Sequence, residues 1–280
     1  MTAPDFLVIG NVVKDVSDGA WRPGGTVTYA ATQAARLGLR TAAVTRCSID
    51  MRPAIVLSGV SVRRVLSGET TVFQNRYLPD GRVQHVQARA AAIRARDVPA
   101  HDRKTRIVLL GPVLDEVSPA MAGLFPEALT GFCAQGLLRV VQPDGLVVRC
   151  RWNAGPLTGV DAVIVSDDDM EHDEDVLERW QREVGIIVVT EGKGGARVYN
   201  DGRWRRIAAF PHREIDPTGA GDIFATAFLI GLDETKSVAQ AARFGGAAAG
   251  LSVEGEGTAT VATRSQIEGV LAAHPEIELK

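Results

Sequence analysis

Three small residues stand directly before a lone carboxylate in Gly219-Ala220-Gly221-Asp222, and the apolar run 223–230 follows at once. The first turn of a helix leaves backbone N–H groups without intrahelical partners, and the helix dipole adds positive potential there. Glycine lets the chain present these groups to one point and lets a ligand approach closely. The segment therefore predicts an anion hole, made by Gly219, Ala220 and Gly221 without lysine or arginine.

Asp222 has a chemical role beside such a hole. Its carboxylate can accept the proton of a substrate hydroxyl while the hydroxyl oxygen attacks phosphorus. The alternative is that Asp222 merely caps the helix, which Asp does well. The chain has no GxxxxGK[ST] segment, so a P-loop is excluded, and 219–221 lacks the third glycine of a dinucleotide fingerprint. From these residues alone, a general base for phosphoryl transfer and a helix cap both stay open as the role of Asp222.

Composition excludes several other classes of protein. The chain has 280 residues, 45% of them hydrophobic, which fits one large α/β domain over 1–280. A net charge of −3 gives no electrostatic reason to bind nucleic acid or an anionic membrane. No apolar segment reaches the ~20 residues of a membrane span. The three scattered cysteines and the absence of a basic leader predict a cytoplasmic protein with reduced thiols.

Short apolar runs alternate with helical patterns along the chain. The predicted strands are 6–10, 41–44, 107–110, 162–165 and 186–190, and the predicted helices are 26–37, 118–124 and 173–183. This alternation predicts an α/β fold with a doubly wound, mostly parallel sheet. Ligands of such sheets bind outside the carboxyl ends of the strands.

One segment departs from this alternation. Thr70 to Tyr77 is β-branched and aromatic, Pro79-Asp80-Gly81 is a turn signal, and Arg82 to Ala88 can form a return strand. Because neither face of this hairpin is purely apolar, we predict a small β-hairpin lid over a polar ligand, formed by about 12–20 and 68–90. An ordinary surface hairpin is the alternative.

The segment Asp216 to Asp222, DPTGAGD, resembles the C-terminal signature of the ribokinase-like (pfkB) carbohydrate kinases. GNVVKDV resembles the first-strand motif of that family, which implies that Asn11 and Asp15 bind substrate hydroxyls. RPGGTVTYAATQAARLG resembles its Gly-Gly motif, in which the backbone of Gly24 and Gly25 would let the acceptor pack closely.

The same resemblance implies a nucleotide and a metal. VVTEGKGGARVY is similar to the TxGxxG nucleotide loop, which implies that ATP lies near Thr190, Gly192 and Gly195, with Gly219 and Gly221 at its phosphates. VSDDDM takes the place of an Asn-x-x-Glu element that holds Mg²⁺ through water, with Ser166 for Asn and Asp169 for Glu. Asp167 and Asp168 stay open as alternatives, since Mg²⁺ keeps several waters. The family also implies a monovalent cation near the carbonyls of 215 and 217 and a homodimer formed through the lid.

Two further segments, 69–77 and 133–145, resemble the myo-inositol kinases of the family, which implies that Gln135 and Arg139 contact the acceptor and the phosphoryl group. Glutamine both donates to and accepts from neutral hydroxyls, and arginine suits a developing phosphate charge. An arginine that merely lies on the surface is the alternative for Arg139. The resemblance thus implies an ATP-dependent kinase for a small polyol, with myo-inositol as the leading acceptor. A ribose- or fructose-type sugar kinase, a nucleoside kinase, and an inactive metabolite-binding protein are the alternatives.

Overall fold

The computed structural model describes residues 2–78, 81–171 and 173–280. The strands are β1 (Phe6–Ile9), β2 (Val13–Ser17), β3 (Ala20–Gly24), β4 (Thr41–Cys47), β5 (Ser61–Leu66), β6 (Thr71–Leu78), β7 (Gly81–Ala88), β8 (Ile107–Leu110), β9 (Leu129–Cys133), β10 (Arg139–Val141), β11 (Val147–Arg149), β12 (Ala162–Ser166), β13 (Ile186–Thr190), β14 (Ala196–Asn200) and β15 (Arg203–Ile207). The α-helices are α1 (Thr26–Arg36), α2 (Pro53–Val56), α3 (Asp167–Met170), α4 (Glu174–Gln181), α5 (Ala220–Thr235), α6 (Val238–Ser252) and α7 (Arg264–Ala273).

Nine of the described strands form one sheet in the order β15-β14-β13-β12-β9-β8-β1-β4-β5. The pairs from β13 to β5 are parallel, and β14 and β15 extend one edge in antiparallel orientation. This arrangement confirms the predicted α/β fold with a mostly parallel sheet.

Both faces of this sheet are buried, which explains why its strands are continuous apolar runs. On β1, Phe6 and Val8 pack into the core under α1, α5 and α6, whereas Leu7 and Ile9 pack into the core that includes Trp180 of α4. Successive side chains of a strand point to opposite faces, so a strand buried on both sides has no polar alternation. The sheet is therefore covered by helices on both sides.

The predicted helix near 118–124 is a 3₁₀ helix over Pro119–Leu124, after Ser118, whose side chain accepts from the N–H of Ala120. Proline at the start and Gly123 within six residues leave little helix propensity, and short runs of this kind favour the tighter 3₁₀ geometry.

The predicted lid segments form a four-stranded sheet in the order β3-β2-β6-β7. Its two antiparallel hairpins, β2–β3 and β6–β7, are joined by parallel pairing of β2 with β6. The small core beneath it contains Val13, Phe73, Val113 and Leu114. The predicted turn at Pro79-Asp80 lies outside the described residues. The two predicted lid segments, about 12–20 and 68–90, thus contribute to one sheet, which β3 extends to Gly24.

Candidate active site

The site lies where the strands of the large sheet end. Asn11 follows β1, Gln135 lies in the 3₁₀ turn after β9, and Asp169 follows β12. Asp222 lies in the first turn of α5. The convergence of these segments agrees with the expectation that ligands bind outside the carboxyl ends of parallel strands.

Asp222 is half-buried, and burial raises the pKa of its carboxyl to about 6. A hydrogen bond with the Thr26 side chain and the charge of Arg139 lower this pKa, while the charges of Asp169 and Asp15 raise it. Four candidate residues thus act on one another electrostatically. A carboxylate with a pKa near neutrality both ionises at pH 7 and accepts a proton well, as a general base requires.

Helix capping does not account for Asp222. The N-cap residue of α5 is Gly219, and within the described part of the chain no side chain caps this helix end. The N–H of Ala220 donates to the carbonyl of Pro217 at 3.2 Å. The first turn therefore begins on glycine, while the carboxylate two residues into the helix bonds to Thr26 instead.

Gly219 is required by its backbone and by its surroundings. Its φ is +82°, and a Cβ at this position would lie 2.3 Å from the ring of Tyr29. At Gly221, by contrast, a Cβ would meet no described atom within 4 Å. The first glycine fixes the loop, and the second leaves open space beside the helix N-terminus.

Asn11 is 1% exposed and is held by the Glu116 side chain and by the backbone of Arg46. Its N–H donates to Glu116 Oε1 at 3.1 Å, and its Oδ1 accepts from the N–H of Arg46 at 3.0 Å. Its Nδ2 has no hydrogen-bond partner among the described residues. A buried donor without a partner is costly, and a ligand oxygen would satisfy it.

Asp15 lies on β2, opposite the Gly-Gly segment. A Cβ at Gly24 would lie 1.8 Å from Asp15 Oδ2, so any larger residue there would displace the Asp15 carboxylate. Gly25 has a φ of +83° and is the N-cap residue of α1. A small residue at position 24 thus makes room for the Asp15 carboxylate of the neighbouring strand.

Gln135, Arg139, Ser166 and Asp169 form one hydrogen-bonded cluster. Asp169 Oδ1 accepts from Arg139 Nε at 3.1 Å and Nη2 at 2.7 Å. Asp169 Oδ2 accepts from Gln135 Nε2 at 3.2 Å and from Ser166 Oγ at 2.5 Å. The Arg139 side chain is only 14% exposed, which argues against an ordinary surface arginine. The predicted metal-supporting residue and the two predicted acceptor-binding residues therefore contact one another directly.

This cluster constrains how a metal ion would be held. Both Asp169 oxygens accept from protein donors, and no group of three His, Cys, Asp or Glu side chains with metal-binding geometry occurs among the described residues. Hydrated Mg²⁺ needs only outer contacts to a carboxylate, because it keeps several of its waters. The four donors occupy the acceptor positions of the Asp169 carboxylate, so a water-mediated contact with Mg²⁺ would require one of these hydrogen bonds to be exchanged.

The predicted donor-binding residues lie next to this cluster. Thr190 ends β13 and is paired in register with Ser166 of β12, and its Oγ1 donates to the Val165 carbonyl at 3.4 Å. Gly192 opens a 3₁₀ turn, and the N–H of Gly195 donates to its carbonyl at 3.0 Å. The turn after β13 thus lies beside the end of β12.

Sequence reasoning missed residues that support the site. Glu116 is 3% exposed and accepts from the N–H groups of Asn11, Val113 and Leu114. Burial raises its pKa, and the hydrogen bonds from these N–H groups lower it. Nothing in the sequence around Glu116 marks this role. Thr26, which bonds to Asp222, directly follows the Gly-Gly pair, so that motif could have indicated Thr26 as a site residue.

The comparisons with known proteins agree with this geometry. A family model described as pfkB family carbohydrate kinase matches residues 157–264. The structure resembles that of a pyrophosphate-dependent kinase in the ribokinase family complexed with a pyrophosphate analog and myo-inositol. The TM-score is 0.75 at 25% identity, and the match covers 94% of this chain and 99% of that chain. The fold is thus that of the ribokinase-like kinases.

Two curated relatives act on different classes of acceptor. Inositol 3-kinase of Zea mays is 32% identical over 177 residues, 60% of this chain and 45% of the maize protein. The match therefore spans less than half the length of that relative. Cytidine kinase of Thermococcus kodakarensis is 26% identical over 271 residues, 86% of this chain and 93% of that protein. Over residues 157–264 the chain thus matches the pfkB carbohydrate kinase model, and inositol kinases are among the proteins to which it is similar.

Among the described helices, none combines the length and apolarity that crossing a bilayer demands.

Proposed function

We propose that this protein is an ATP-dependent kinase that phosphorylates a hydroxyl of a small polyol, with a cyclitol such as myo-inositol as the leading acceptor. The observation that carries this proposal is the raised pKa of Asp222, about 6, at a helix N-terminus that faces Arg139, Asp169 and Asp15. An ionised base, a helix N-terminus and an arginine together are what phosphoryl transfer to an alcohol requires.

In the proposed reaction, Asp222 accepts the proton of the acceptor hydroxyl while the oxygen forms a bond to the γ-phosphorus. The bond from that phosphorus to the β,γ-bridging oxygen breaks, and ADP leaves with the electron pair. The N–H groups of 219–221 and the Arg139 guanidinium stabilise the charge on the transferring group. Arg139 must then exchange part of its contact with Asp169 for phosphate oxygens.

The proposed acceptor side consists of Asn11, Asp15, Gly24, Gly25 and Gln135. The proposed donor side consists of Ser166, Thr190, Gly192 and Gly195. When bound, Mg²⁺ would neutralise phosphate charge, and Asp169 would contact its water shell after exchanging one of its hydrogen bonds. A monovalent cation at the carbonyls of Ile215 and Pro217 and a homodimer through the lid belong to the same proposal.

The preference for a cyclitol is supported by the inositol 3-kinase relative and by the chemistry of the site. Asn11 Nδ2, which has no partner among the described residues, and the amide of Gln135 suit neutral hydroxyls. The cytidine kinase relative supports the alternative acceptor class, a nucleoside or ribose-type sugar. The pyrophosphate-dependent neighbour supports pyrophosphate as a second candidate donor.

The test is a donor-by-acceptor panel with Mg²⁺, followed by phosphorus NMR of the product. The donors are ATP and pyrophosphate, and the acceptors are myo-inositol, ribose, fructose, adenosine and cytidine. We expect turnover with ATP and at least tenfold higher kcat/KM for myo-inositol than for the other acceptors. A tenfold preference for ribose or a nucleoside would overturn the cyclitol assignment. If an acceptor binds but no donor–acceptor pair gives turnover, the inactive metabolite-binding protein is favoured.

A further inference from the structure

Three polar side chains form a hydrogen-bonded line across the lid sheet, from β7 through β6 to β2. Gln84 Nε2 donates to Asn75 Oδ1 at 2.9 Å, and Asn75 Nδ2 donates to Asp15 Oδ1 at 3.2 Å. Asn75 and Gln84 are direct cross-strand partners in the β6–β7 register. We name Gln84, Asn75 and Asp15 together the lid relay. None of the motifs in the sequence includes Asn75 or Gln84 as a site residue.

The two amides of the lid relay are buried, at 5% exposure for Asn75 and 8% for Gln84. A buried amide is costly unless it is hydrogen-bonded, so their orientations are constrained. Gln84 donates to the oxygen of Asn75, and this leaves the nitrogen of Asn75 to face Asp15. Because the two ends of an amide have opposite hydrogen-bonding character, Gln84 determines which of them Asp15 meets.

The far end of the lid relay reaches the candidate active site. The charge of Asp15 raises the pKa of Asp222, so the lid carboxylate acts on the same space as the proposed base. The Asp15 carboxylate also lies so close to Gly24 that a Cβ there would be 1.8 Å from Oδ2. The Asn75 amide therefore donates to a carboxylate that lies directly beside Gly24.

We propose that Asn75 and Gln84 are positioning residues that orient the Asp15 carboxylate toward the hydroxyls of the acceptor. This inference rests on the proposed function, because it concerns the acceptor side of that same site. A carboxylate in a fixed orientation matches hydroxyls in one arrangement and leaves unpaired groups with others. The lid relay thereby sets acceptor specificity through residues that need not touch the acceptor.

The first test is Gln84→Glu, which replaces the Nε2 donor by an oxygen at nearly constant shape. The Asn75 amide must then turn its nitrogen toward the new carboxylate, which leaves its oxygen against Asp15. We expect the Kd of myo-inositol, measured by calorimetry, to rise roughly 5- to 150-fold, as expected for a mispaired buried hydrogen bond. The Kd of the donor should stay within twofold of the wild type.

A matched control lies on the same strand. Gln87 Nε2 donates to Gln74 Oε1 at 3.0 Å, in an exposed amide pair between the same two strands. Gln87→Glu makes the same chemical change outside the lid relay. We expect it to leave the Kd of myo-inositol within twofold of the wild type.

The second test is Asn75→Asp, which places a carboxylate beside Asp15. Two adjacent carboxylates share a proton, and the pKa of one of them rises. The ratio of the variant's Kd for myo-inositol to that of the wild type should therefore increase as the pH is raised from 5 to 8. A merely structural role would give a Kd ratio that does not depend on pH.

The outcomes separate the inference from the proposed function. If the wild type binds none of myo-inositol, ribose and cytidine, the proposed function fails and the inference fails with it. If the wild type binds one of them and Gln84→Glu affects it no more than Gln87→Glu, only the inference is overturned. A loss confined to Gln84→Glu and Asn75→Asp, with the pH dependence in the latter, supports it.

Discussion

At the scale of single residues, the surroundings of Asp222 decide its chemistry. Burial raises its pKa to about 6, and the hydrogen bond with Thr26 and the charge of Arg139 limit that rise. An aspartate in water would be a weaker base, and a fully buried one without these partners would be protonated at pH 7. The balance leaves Asp222 ionised and still able to accept a proton.

Asp222→Asn should abolish most turnover and preserve donor binding. The amide cannot accept the proton of the hydroxyl, and removal of a general base typically costs about 10²- to 10⁴-fold in rate. Steady-state kcat and the donor Kd by calorimetry measure the two effects. A kcat close to that of the wild type would show that Asp222 is not the base.

The raised pKa also predicts how rate and stability depend on pH. Because the base must be ionised, kcat/KM should fall as the pH decreases through about 6. A carboxyl whose pKa is higher in the folded than in the unfolded chain costs stability above its folded pKa, and this cost disappears as pH falls toward the unfolded value. Asp222→Asn should therefore have a higher Tm than the wild type at pH 8 and a similar Tm near pH 4. An equal Tm difference at both pH values would contradict this.

Asp169→Ala should affect the acceptor as well as the metal. Removal of its carboxylate leaves Arg139 and Gln135 without their shared partner, so acceptor KM should rise along with the Mg²⁺ concentration for half-maximal rate. Asp168→Ala is the matched control, because this exposed neighbour loses the same charge in the same helix. A rise in the Mg²⁺ requirement alone would show that Asp169 does not position the other two side chains.

At the scale of elements, the junction of loop and helix at the start of α5 is set by one glycine. Gly219 has positive φ and lies against the rigid ring of Tyr29, whereas Gly221 has open space around it among the described atoms. Gly219 is therefore required by the fold itself, whereas Gly221 would be required only by a ligand in the space beside it.

Gly219→Ala and Gly221→Ala should separate these two requirements. Gly219→Ala should lower the free energy of unfolding by roughly 1–3 kcal/mol, because it combines a strained left-handed backbone with the contact to Tyr29. Gly221→Ala should unfold like the wild type and weaken donor binding, since its methyl group occupies space that the phosphates would use. Urea unfolding and calorimetry measure the two effects, and equal losses of stability would contradict this distinction.

At the scale of the whole molecule, the helix that carries the proposed base is also central to the core. Residues 223–232 of α5 are buried between the sheet and α6, and Phe228 is stacked on Phe224 at 6.1 Å between ring centroids. The active site at one end of α5 is thus anchored by the packing of the rest of the helix.

Phe228→Ala should lower the free energy of unfolding by about 3–5 kcal/mol, as expected for a large side chain removed from a packed core. Phe228 is 0% exposed, so the cavity is internal. Urea unfolding gives the change, and acceptor KM at 15 °C should remain within about twofold of the wild type if the site keeps its geometry. A loss below about 1 kcal/mol would show that the core collapses around the cavity.

The sequence by itself determined the mostly parallel sheet, the resemblance to the pfkB kinases and the position of Asp222 at the start of a helix. Apolar runs such as 107–110 and 162–165 become central strands because a strand covered on both faces needs no polar alternation. The DPTGAGD segment is contiguous, so its loop and helix start could be predicted from local chemistry. The Gly-Gly pair was also visible, although the close approach of Asp15 to Gly24 was not.

Tertiary structure alone decided which side chains meet. Asp169 contacts Arg139 and Gln135 because β12 lies beside β9, and Asn75 faces Gln84 and Asp15 because of the register of three lid strands. The role of Glu116 likewise depends on a loop that brings three N–H groups to one carboxylate. Such pairings depend on strand order and register, which long-range packing fixes, and a local pattern carries no signal of either.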